Sequence, residues 1–385
     1  MRILYIEQSI PPYLGGIERV SWINAQSFIE AGCEVFFAYS LQDSDEVDKN
    51  HKYKLDYSLG IDEFVKSLYS FVVKSKIDVI INQDIYEKRI RKTFELLKNN
   101  NVCKIVHCFH LSPEYLDYAR GQHKSLKHKL KDIYLCFAEG LDALSYEKKC
   151  MYQLVDAFVL LSESFKDSFA KRFKLIDTDK LYAISNPLAF ETSIQEEDLK
   201  NKKKKVLIVT RFFEIQKNIC SALRIWQKIE RDGYDAWELI IAGYGQDEEF
   251  IKNYAKELNI KRVSFVGKVS GPQELYKEAS IFMMTSNYEG FGMTLTEASQ
   301  FGCIPIAFDN FTVLHDIIVN NKNGFIIQSK NEEQYKDVMT QLMDNTELRA
   351  RISKNAIQES QCFSRSNICK QWLSLLKKIC GSFEN

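Results

Sequence analysis

The chain has 385 residues, of which 45% are hydrophobic and 27% are charged, and its 52 basic side chains balance 52 acidic ones. That length exceeds one ordinary hydrophobic core, so two domains are expected. Zero net charge argues against wholesale binding of nucleic acid, which needs a basic surface. No apolar run reaches the roughly 18 residues of a membrane span, and the N-terminus lacks signal-peptide features. We therefore expect a cytoplasmic protein.

Ten cysteines are spread along the chain without a C-x-x-C pair. Several of them, such as Cys108 in KIVHCF and Cys136 in YLCFAEG, lie in apolar runs. This pattern favours free thiols in a reducing compartment over a disulfide framework or a zinc site.

The first half of the chain alternates short apolar runs with amphipathic stretches of helix length. RILYIEQ, EVFFAYS, DVIINQ, KIVHCFH and DAFVLLS are typical of buried strands. The stretch IERVSWINAQSFIEAG places Val20, Ile23 and Phe28 roughly on one face of a helix. The alternation predicts an α/β domain with a largely parallel sheet, extending to about residue 184.

Two places in this half are candidates for ligand binding. Gly15 and Gly16 open the first helix, where glycine lets the backbone approach a ligand and the helix N-terminus attracts anions, although a plain turn is equally compatible. His110 ends a strand in VHCFHLSPEY, and Pro113 favours an exposed loop after it. His107 lies inside that strand, where we expect a buried core histidine.

Residues 117–138 combine basic side chains with Leu126, Leu130, Ile133 and Phe137 at helical spacing. A basic amphipathic helix can lie on an anionic membrane surface. The alternative is a solvated helix with its apolar face on the core of the first domain.

The second half restarts the strand–helix alternation at KKKKVLIVTR and continues through WELIIAG, VSFVG, IFMMTS, IPIAF and GFIIQ. The polar stretch 185–205 suits an interdomain linker, and we interpret its lysines at 202–205 as solvated charge. We expect domains at 1–186 and 187–363, with a C-terminal helix over 364–385 that crosses back onto the first domain. Two such doubly wound domains bind ligands in the cleft at the carboxyl ends of their strands.

Three motifs of the second half lie at these carboxyl ends. TRFFEIQKN places Arg211 at the end of a strand and Lys217 before a helix, where two cations could bind a diphosphate or simply be surface charges. Gly243 begins GYGQDE, which resembles part of a G-x-G-x-x-G fingerprint and shapes a loop after a strand. EGFGMTLTEASQFG contains Glu289 and Glu297 around the start of a helix, where acids can also serve as caps.

Two D-x-D strings, at 43–45 and 177–179, could suggest a metal site. Both lie in charged loops without the matching architecture. We therefore expect no metal site and no cofactor.

Together, these motifs resemble the retaining glycosyltransferases of the GT-B fold in glycosyltransferase family 4. SNYEGFGMTLTEASQFGCIPIAFD is similar to the family's E-x7-E signature, and TRFFEIQKN is similar to its R-x-x-x-x-x-K element. SNP at 185–187, the glycines at 15–16 and FHLSPEY also fit. The resemblance spans nearly the whole chain and implies two Rossmann-like domains facing a central cleft.

The resemblance also implies roles for individual residues. Arg211 and Lys217 would bind the donor diphosphate, Glu289 would contact the donor sugar, and Glu297 would contact the ribose. His110 would contact the sugar near the reacting carbon. The remaining donor-binding candidates are Gly15, Gly16, Gly243, Gly290, Phe291, Gly292, Met293 and Thr294.

The implied function is metal-independent, retaining transfer of a hexosyl unit from a nucleotide sugar, expected to be UDP-linked. The acceptor would be a glycan or a lipid-linked saccharide in surface polysaccharide synthesis. A nucleotide-sugar 2-epimerase with the same fold and a two-lobed binding protein are the alternatives. Two departures from the family pattern leave the donor open: Thr210 replaces a common glycine, and DNFTVLHDII replaces a run that commonly contains Gly-Pro.

Overall fold

A computed structural model describes residues 1–10, 15–113 and 142–381. The basic stretch at 117–138 therefore lies entirely outside the described residues. The chain forms two compact units, one of Met1–Pro187 with Arg365–Asn385 and the other of Leu188–Ser364. The second unit is thus inserted before the last helix of the first.

The first unit is built on a parallel sheet. Its described strands are β1 (Arg2–Glu7), β2 (Glu34–Tyr39), β3 (Lys52–Lys54), β4 (Val79–Gln83), β5 (Lys104–Cys108), β6 (Ala157–Leu160) and β7 (Leu181–Ala183). The strand order is β3-β2-β1-β4-β5-β6-β7, so the direction of the winding reverses between β1 and β4. The five apolar runs of the sequence form its five central strands.

The two edge strands were missed from the sequence, for a physical reason. β3 is the short polar segment KYK and β7 is LYA, and neither has the long apolar run of a central strand. Edge strands bury less of their surface than central ones, so their sequences carry a weaker signal.

Helices cover this sheet: α1 (Gly16–Glu30), α2 (Ile61–Lys74), α3 (Lys88–Asn99), α4 (Ala143–Leu154) and α5 (Phe165–Phe173). In α1 the buried apolar residues include Val20, Ile23 and Phe28, the face expected from the sequence. The described helices include none that is both long and apolar enough to cross a membrane.

The second unit repeats this architecture. Its strands are β8 (Lys203–Arg211), β9 (Glu238–Tyr244), β10 (Val263–Gly267), β11 (Ala279–Met284), β12 (Ile304–Phe308) and β13 (Phe325–Ile327), in the order β10-β9-β8-β11-β12-β13. Its helices are α6 (Glu214–Lys217), α7 (Ile219–Arg231), α8 (Glu248–Glu257), α9 (Gln273–Glu278), α10 (Met293–Gln300), α11 (Leu314–Ile317), α12 (Glu332–Asp344) and α13 (Thr346–Ser360).

The last helix, α14 (Arg365–Cys380), packs within the first unit. Its buried stripe comprises Ile368, Cys369, Trp372, Leu375 and Leu376, and these side chains join the core of the first sheet. The Trp372 ring lies edge-on to Phe28 of α1, with 6.3 Å between centroids. The apolar stripe of α14 is therefore covered by α1 and the core around it.

The interpretation of the lysine run as solvated linker charge was wrong for Lys202 and Lys205, which are partly enclosed at the start of β8, whereas Lys203 and Lys204 are exposed. Lys203 and Lys205 lie on β8, and both pair with Glu278, at 2.5 and 2.8 Å. The Lys202 ammonium donates to the carbonyl oxygens of Tyr276 and Ala279, at 2.7 Å each. Lys202, Lys203 and Lys205 therefore attach the start of β8 to the end of α9, and the two carbonyl oxygens satisfy the enclosed Lys202 ammonium.

Candidate functional site

The site expected from the sequence lies where the winding of the second sheet reverses, between β8 and β11. Ligands bind such sheets at this point, outside the carboxyl ends of the strands. Arg211 is the last residue of β8 and is exposed. In the described part of the chain its guanidinium forms no hydrogen bond or ion pair, so it is available to a ligand.

Lys217 and Glu289, both expected at the site, are bonded to each other. The Lys217 ammonium donates to Glu289 Oε1 at 2.6 Å, and the two side chains are 16% and 9% exposed. An ion pair so enclosed is screened little by water, so each charge fixes the position of the other. The pair brings together two motifs that are 72 residues apart in the sequence.

Backbone and side-chain bonds join the loop after β11 to α6. The Asn287 amide nitrogen donates to the Gln216 carbonyl at 2.7 Å, and its side chain donates to the Ile215 carbonyl at 2.8 Å. The Thr285 hydroxyl donates to the Lys217 and Asn218 carbonyls, at 3.1 and 2.9 Å. These bonds hold Lys217 and Glu289 in one position.

Two acids that the sequence analysis missed organise α6. Glu214 accepts from the backbone amide of Ile219 at 2.8 Å and also from that of Cys220, so it caps α7. Burial raises the pKa of Glu214 above its usual value. Asp247 in turn accepts from the Glu214 amide at 2.7 Å. An acid shortly before an apolar helix is the signal that would have identified the cap.

The glycine-rich turn before α10 contains Gly290 and Gly292. Gly292 has φ +88°, a left-handed conformation that suits glycine, and it caps α10 without a side-chain bond. The first turn of α10 therefore keeps backbone amides for a ligand, those of Met293 and Thr294 among them. Phe291 is buried and packs edge-on to Phe363.

Glu297 lies deeper in α10 than the turn. Only 4% of the residue is exposed, and its Oε2 accepts from the buried Tyr276 hydroxyl at 2.8 Å. Glu297 is therefore anchored within the unit, whereas Glu289 is held by a cation at the carboxyl edge of the sheet.

Gly243 brings the end of β9 against β8. It has φ +152°, and a Cβ atom there would lie 1.8 Å from the Thr210 carbonyl oxygen. Gly245, at φ +159°, is similarly close to the Phe212 backbone. The two glycines of GYGQDE therefore allow the close approach of the two loops, so packing accounts for both of them.

Gly15, Gly16 and His110, which were also expected at the site, lie in the first unit. Gly15 is the N-cap of α1 with extended backbone and no side-chain cap, and Gly16 is the first helical residue. Glu7, missed from the sequence, ends β1 and is 1% exposed. Burial raises the pKa of Glu7 well above its usual value.

His110 lies two residues beyond β5 and pairs with the end of β4. Its Nε2 is hydrogen-bonded to Oε1 of Gln83, the last residue of β4. Burial lowers the pKa of His110 to about 4, against the opposing effect of Asp84. His110 is therefore a neutral imidazole near pH 7.

His107 is fully buried, as the sequence predicted. Its Nδ1 accepts from Asn82 Nδ2 at 2.7 Å, and its Nε2 lies 3.7 Å from Asp84 Oδ1. Burial lowers the pKa of His107 as well. Lys148 lies over the Tyr86 ring nearby, 3.7 Å from its centroid. This edge of the first sheet thus combines neutral rings with amides.

The D-x-D strings are occupied by protein contacts. Asp43 pairs with Lys52 at 2.8 Å, and Asp177 accepts from the Tyr152 hydroxyl at 2.8 Å. Over the described residues, no group of three or more His, Cys, Asp or Glu side chains is arranged to hold a metal ion. The described cysteines are free thiols.

The segment DNFTVLHDII, which departs from the family pattern, lines part of an open cavity of about 700 Å³ beyond β12 and β13. His315 Nε2 lies 2.8 Å from Asp309 Oδ1 on its wall. Asn310 donates to the Ser286 carbonyl at 2.9 Å, which connects this wall to the loop that carries Glu289.

Comparison with known proteins agrees with this geometry. Residues 189–359 match the family model of glycosyl transferases group 1. An uncharacterized glycosyltransferase of Haemophilus influenzae is 26% identical over 372 residues, which cover 94% of this chain and 96% of the relative. The amylovoran biosynthesis glycosyltransferase AmsD of Erwinia amylovora is 30% identical over 233 residues, 58% of this chain and 63% of AmsD.

Solved structures show the same fold. HepE of Anabaena, in complex with UDP, superposes with a TM-score of 0.74 at 16% identity, over 98% of this chain and 100% of HepE. The lipopolysaccharide outer core galactosyltransferase WaaB gives 0.70 at 18% identity, over 98% and 99%. The expected GT-B fold of two Rossmann-like units is confirmed. Residues 189–359 of the second unit therefore match glycosyl transferases group 1, and the chain is similar to a glycosyltransferase over nearly its whole length.

Proposed function

We propose that this glycosyltransferase moves a hexosyl unit from a UDP-linked sugar to a hydroxyl group of a glycan or lipid-linked saccharide, in the synthesis of a surface polysaccharide. The observation that carries the proposal is the group of Arg211, Lys217 and Glu289 at the switch point of the second sheet. The relatives support the substrate class: AmsD is named for amylovoran biosynthesis, and HepE was solved with UDP.

A further relative supports the acceptor class. The lipopolysaccharide 1,6-galactosyltransferase of Salmonella typhimurium is 26% identical over 348 residues, 84% of each chain. AmsD and the Salmonella relative are both named as transferases, which does not favour the 2-epimerase alternative. Contact of residues 117–138 with an anionic membrane stays a prediction.

In the proposed mechanism the donor diphosphate lies against Arg211 and Lys217. Arg211 offers a planar fork of donors, and Lys217 offers a point charge already oriented by Glu289. The open amides at the start of α10 add positive potential. These groups stabilise the negative charge that develops on the leaving diphosphate, which is why we expect no metal requirement.

The sugar is held by Glu289, whose carboxylate accepts from sugar hydroxyls while it remains paired with Lys217. Glu297 is proposed to contact the ribose, and His110 to contact the sugar near the reacting carbon. The acceptor hydroxyl attacks from the face that the diphosphate leaves, so configuration is retained. The leaving diphosphate takes the acceptor proton.

The test is a donor screen with the purified chain in the presence of EDTA. UDP-glucose, UDP-galactose, their N-acetyl forms and GDP-mannose are compared by thermal shift and by slow hydrolysis. We expect one donor to stabilise the protein and to be hydrolysed. Arg211→Ala should lose both effects, whereas Arg231→Ala, an exposed arginine at the end of α7, should keep them. No response to any of the five donors would contradict the proposal.

A further inference from the structure

Two amide side chains at the end of β4 are bonded to two histidines, one on β5 and the other just beyond it. Asn82 and Gln83 are consecutive, buried residues, and the register pairs them with His107 and Cys108 of β5. Asn82 bonds to His107, and Gln83 bonds to His110 just beyond the strand. This repeated pairing of an amide with an imidazole is the feature that the proposed function leaves unused.

The atoms in contact decide which nitrogen of each ring carries the hydrogen. A carboxamide oxygen only accepts, so Gln83 Oε1 requires a hydrogen on His110 Nε2. Asn82 presents the opposite group: its Nδ2 donates both to His107 Nδ1 and to the Ile85 carbonyl at 2.8 Å. His107 Nδ1 is therefore an acceptor, and its hydrogen also lies on Nε2.

We propose that Gln83 is a positioning residue that holds His110 as the neutral Nε2–H tautomer, so that Nδ1 accepts a hydrogen bond from a sugar hydroxyl group. The tautomer follows from the geometry alone, whereas the sugar as ligand rests on the proposed function. In the described part of the chain, Nδ1 of His110 forms no hydrogen bond, so this nitrogen is free for a ligand.

The tautomer selects the chemistry of the ligand. A nitrogen without a hydrogen repels the oxygen of a phosphate but attracts a hydroxyl hydrogen, so this ring favours a neutral sugar group over the diphosphate. The same ring is a weak base, because burial lowers its pKa to about 4. It therefore orients a hydroxyl group and does not remove its proton.

The groups around His110 shift its pKa in both directions. Asp84 favours its protonated form, while His107 and burial oppose that form. Lys148, on α4, has the same opposing effect on His107. Since Gln83 is uncharged, it sets the tautomer without adding to this balance, and a carboxylate in its place would shift the balance towards imidazolium.

The direct test is nitrogen NMR of the full chain labelled at its six histidines. His110→Gln identifies the His110 signals. We expect the wild type to show hydrogen on Nε2 and none on Nδ1 from pH 8 to pH 5.5. Gln83→Leu should give a mixture of tautomers, and Gln83→Glu should keep the Nε2–H form at pH 8 but become protonated between pH 7 and 5.

Gln153→Leu, at an exposed glutamine of the same unit, is the control and should match the wild type. Hydrogen on Nδ1 in the wild type would overturn the proposal. So would a Gln83→Leu variant, folded by circular dichroism, that keeps the wild-type tautomer. If Gln83→Leu does not fold, the Gln83→Glu spectra decide: an absence of new protonation between pH 7 and 5 overturns the proposal.

A kinetic test separates positioning from folding. The kinetic test uses the donor identified by the screen. Gln83→Leu should lower kcat about tenfold, which corresponds to the loss of one hydrogen bond, and should leave KM for the donor within twofold of the wild-type value. Gln83→Glu should have the wild-type kcat at pH 8 and a lower kcat than the wild type at pH 6. If wild type turns over no nucleotide sugar, the proposed function fails, while the NMR result still decides the role of Gln83.

Discussion

The carboxyl edges of the two sheets have the same architecture and opposite chemistry. At the second sheet the edge is charged: Arg211 is exposed, and Lys217 pairs with Glu289. At the first sheet the edge combines amides with neutral imidazoles, and burial keeps His107 and His110 uncharged. The proposed transfer reaction needs an anionic donor and a neutral hydroxyl group, and the chemistry of each edge suits one of these two ligands.

The difference extends to how each edge is held. The charged edge is fixed by bonds between two loops and by glycines that let those loops approach. The neutral edge is fixed by side chains on neighbouring strands, which the register of β4 and β5 places together. We therefore expect the charged edge to depend on backbone fit, and the neutral edge to depend on pH.

The largest expected effect comes from Gly243→Ala. The added methyl group would lie 1.8 Å from the Thr210 carbonyl oxygen at a φ of +152°, so both overpacking and backbone strain oppose it. We expect the free energy of unfolding of the second unit to fall by about 4 kcal/mol. Urea unfolding measures this quantity.

The matched control for Gly243 is Gly233→Ala. Gly233 also has positive φ, +85°, but nothing lies within 4 Å of an added Cβ atom. Gly233→Ala should therefore lower the free energy of unfolding only through backbone strain, by about 1 kcal/mol. Equal losses in the two variants would show that the close approach of β9 to β8 is not what requires glycine.

The next effect is the pH dependence of the neutral edge. The pKa of His110 is about 4 in the folded chain and about 6.5 in the unfolded chain. Between these values only the unfolded chain binds the proton, so stability falls as the pH falls from 6.5 to 4. The full loss is about 3 kcal/mol, and the burial of His107 acts in the same direction.

Urea unfolding at pH 7.5 and pH 5 measures the part of that loss that is reached by pH 5, about 2 kcal/mol. His110→Gln should reduce the difference between the two pH values, whereas His315→Gln, at a ring that is 56% exposed, should leave it unchanged. A wild-type stability that is equal at both pH values would contradict a neutral first-sheet edge.

The charged edge could be predicted from the sequence to a large extent, because its residues lie in two short motifs. Arg211, Lys217 and Glu289 each follow a recognisable strand, and parallel strands end at one edge. The pairing of Lys217 with Glu289 could not be predicted, since it depends on bonds such as that of Asn287 to α6.

The neutral edge was harder to predict. His110 was noticed, but Gln83 looked like an ordinary end to an apolar run, because the contact depends on the register of β4 and β5. The interpretation of the lysines at 202–205 as linker charge was wrong in part for a similar reason. Their composition resembles a linker, whereas their partners Glu278 and Tyr276 are more than 70 residues away.

A smaller effect is expected from Lys217→Ala. It leaves the Glu289 carboxylate enclosed without its cation, and losing one partner of a buried pair is costly. Because both side chains keep some exposure, we expect a loss of about 2–3 kcal/mol in the free energy of unfolding. The double variant Lys217→Ala with Glu289→Ala should recover part of it, and a double-mutant cycle by urea unfolding measures the coupling.

The exposed pair of Lys252 with Glu248 on α8 is the control for this cycle, with 40% and 34% exposure. Its coupling should be about 0.3–0.5 kcal/mol. A Lys217–Glu289 coupling no larger than this would mean that the charged edge is solvated like any helix surface.

The smallest effect is expected from Asn287→Ala. This variant tests whether kcat depends on the position of Glu289 or only on the charges at the edge of the second sheet. The substitution removes the 2.8 Å bond to the Ile215 carbonyl but leaves Arg211, Lys217 and Glu289 in place, at a cost of about 1 kcal/mol. If the loop bonds position Glu289, kcat with the identified donor should fall several-fold. The control is Asn253→Ala on α8. If kcat depends only on the charges at the site, the two variants should have equal kcat. Since both variants keep every charge at the site, only the first explanation permits a difference between them.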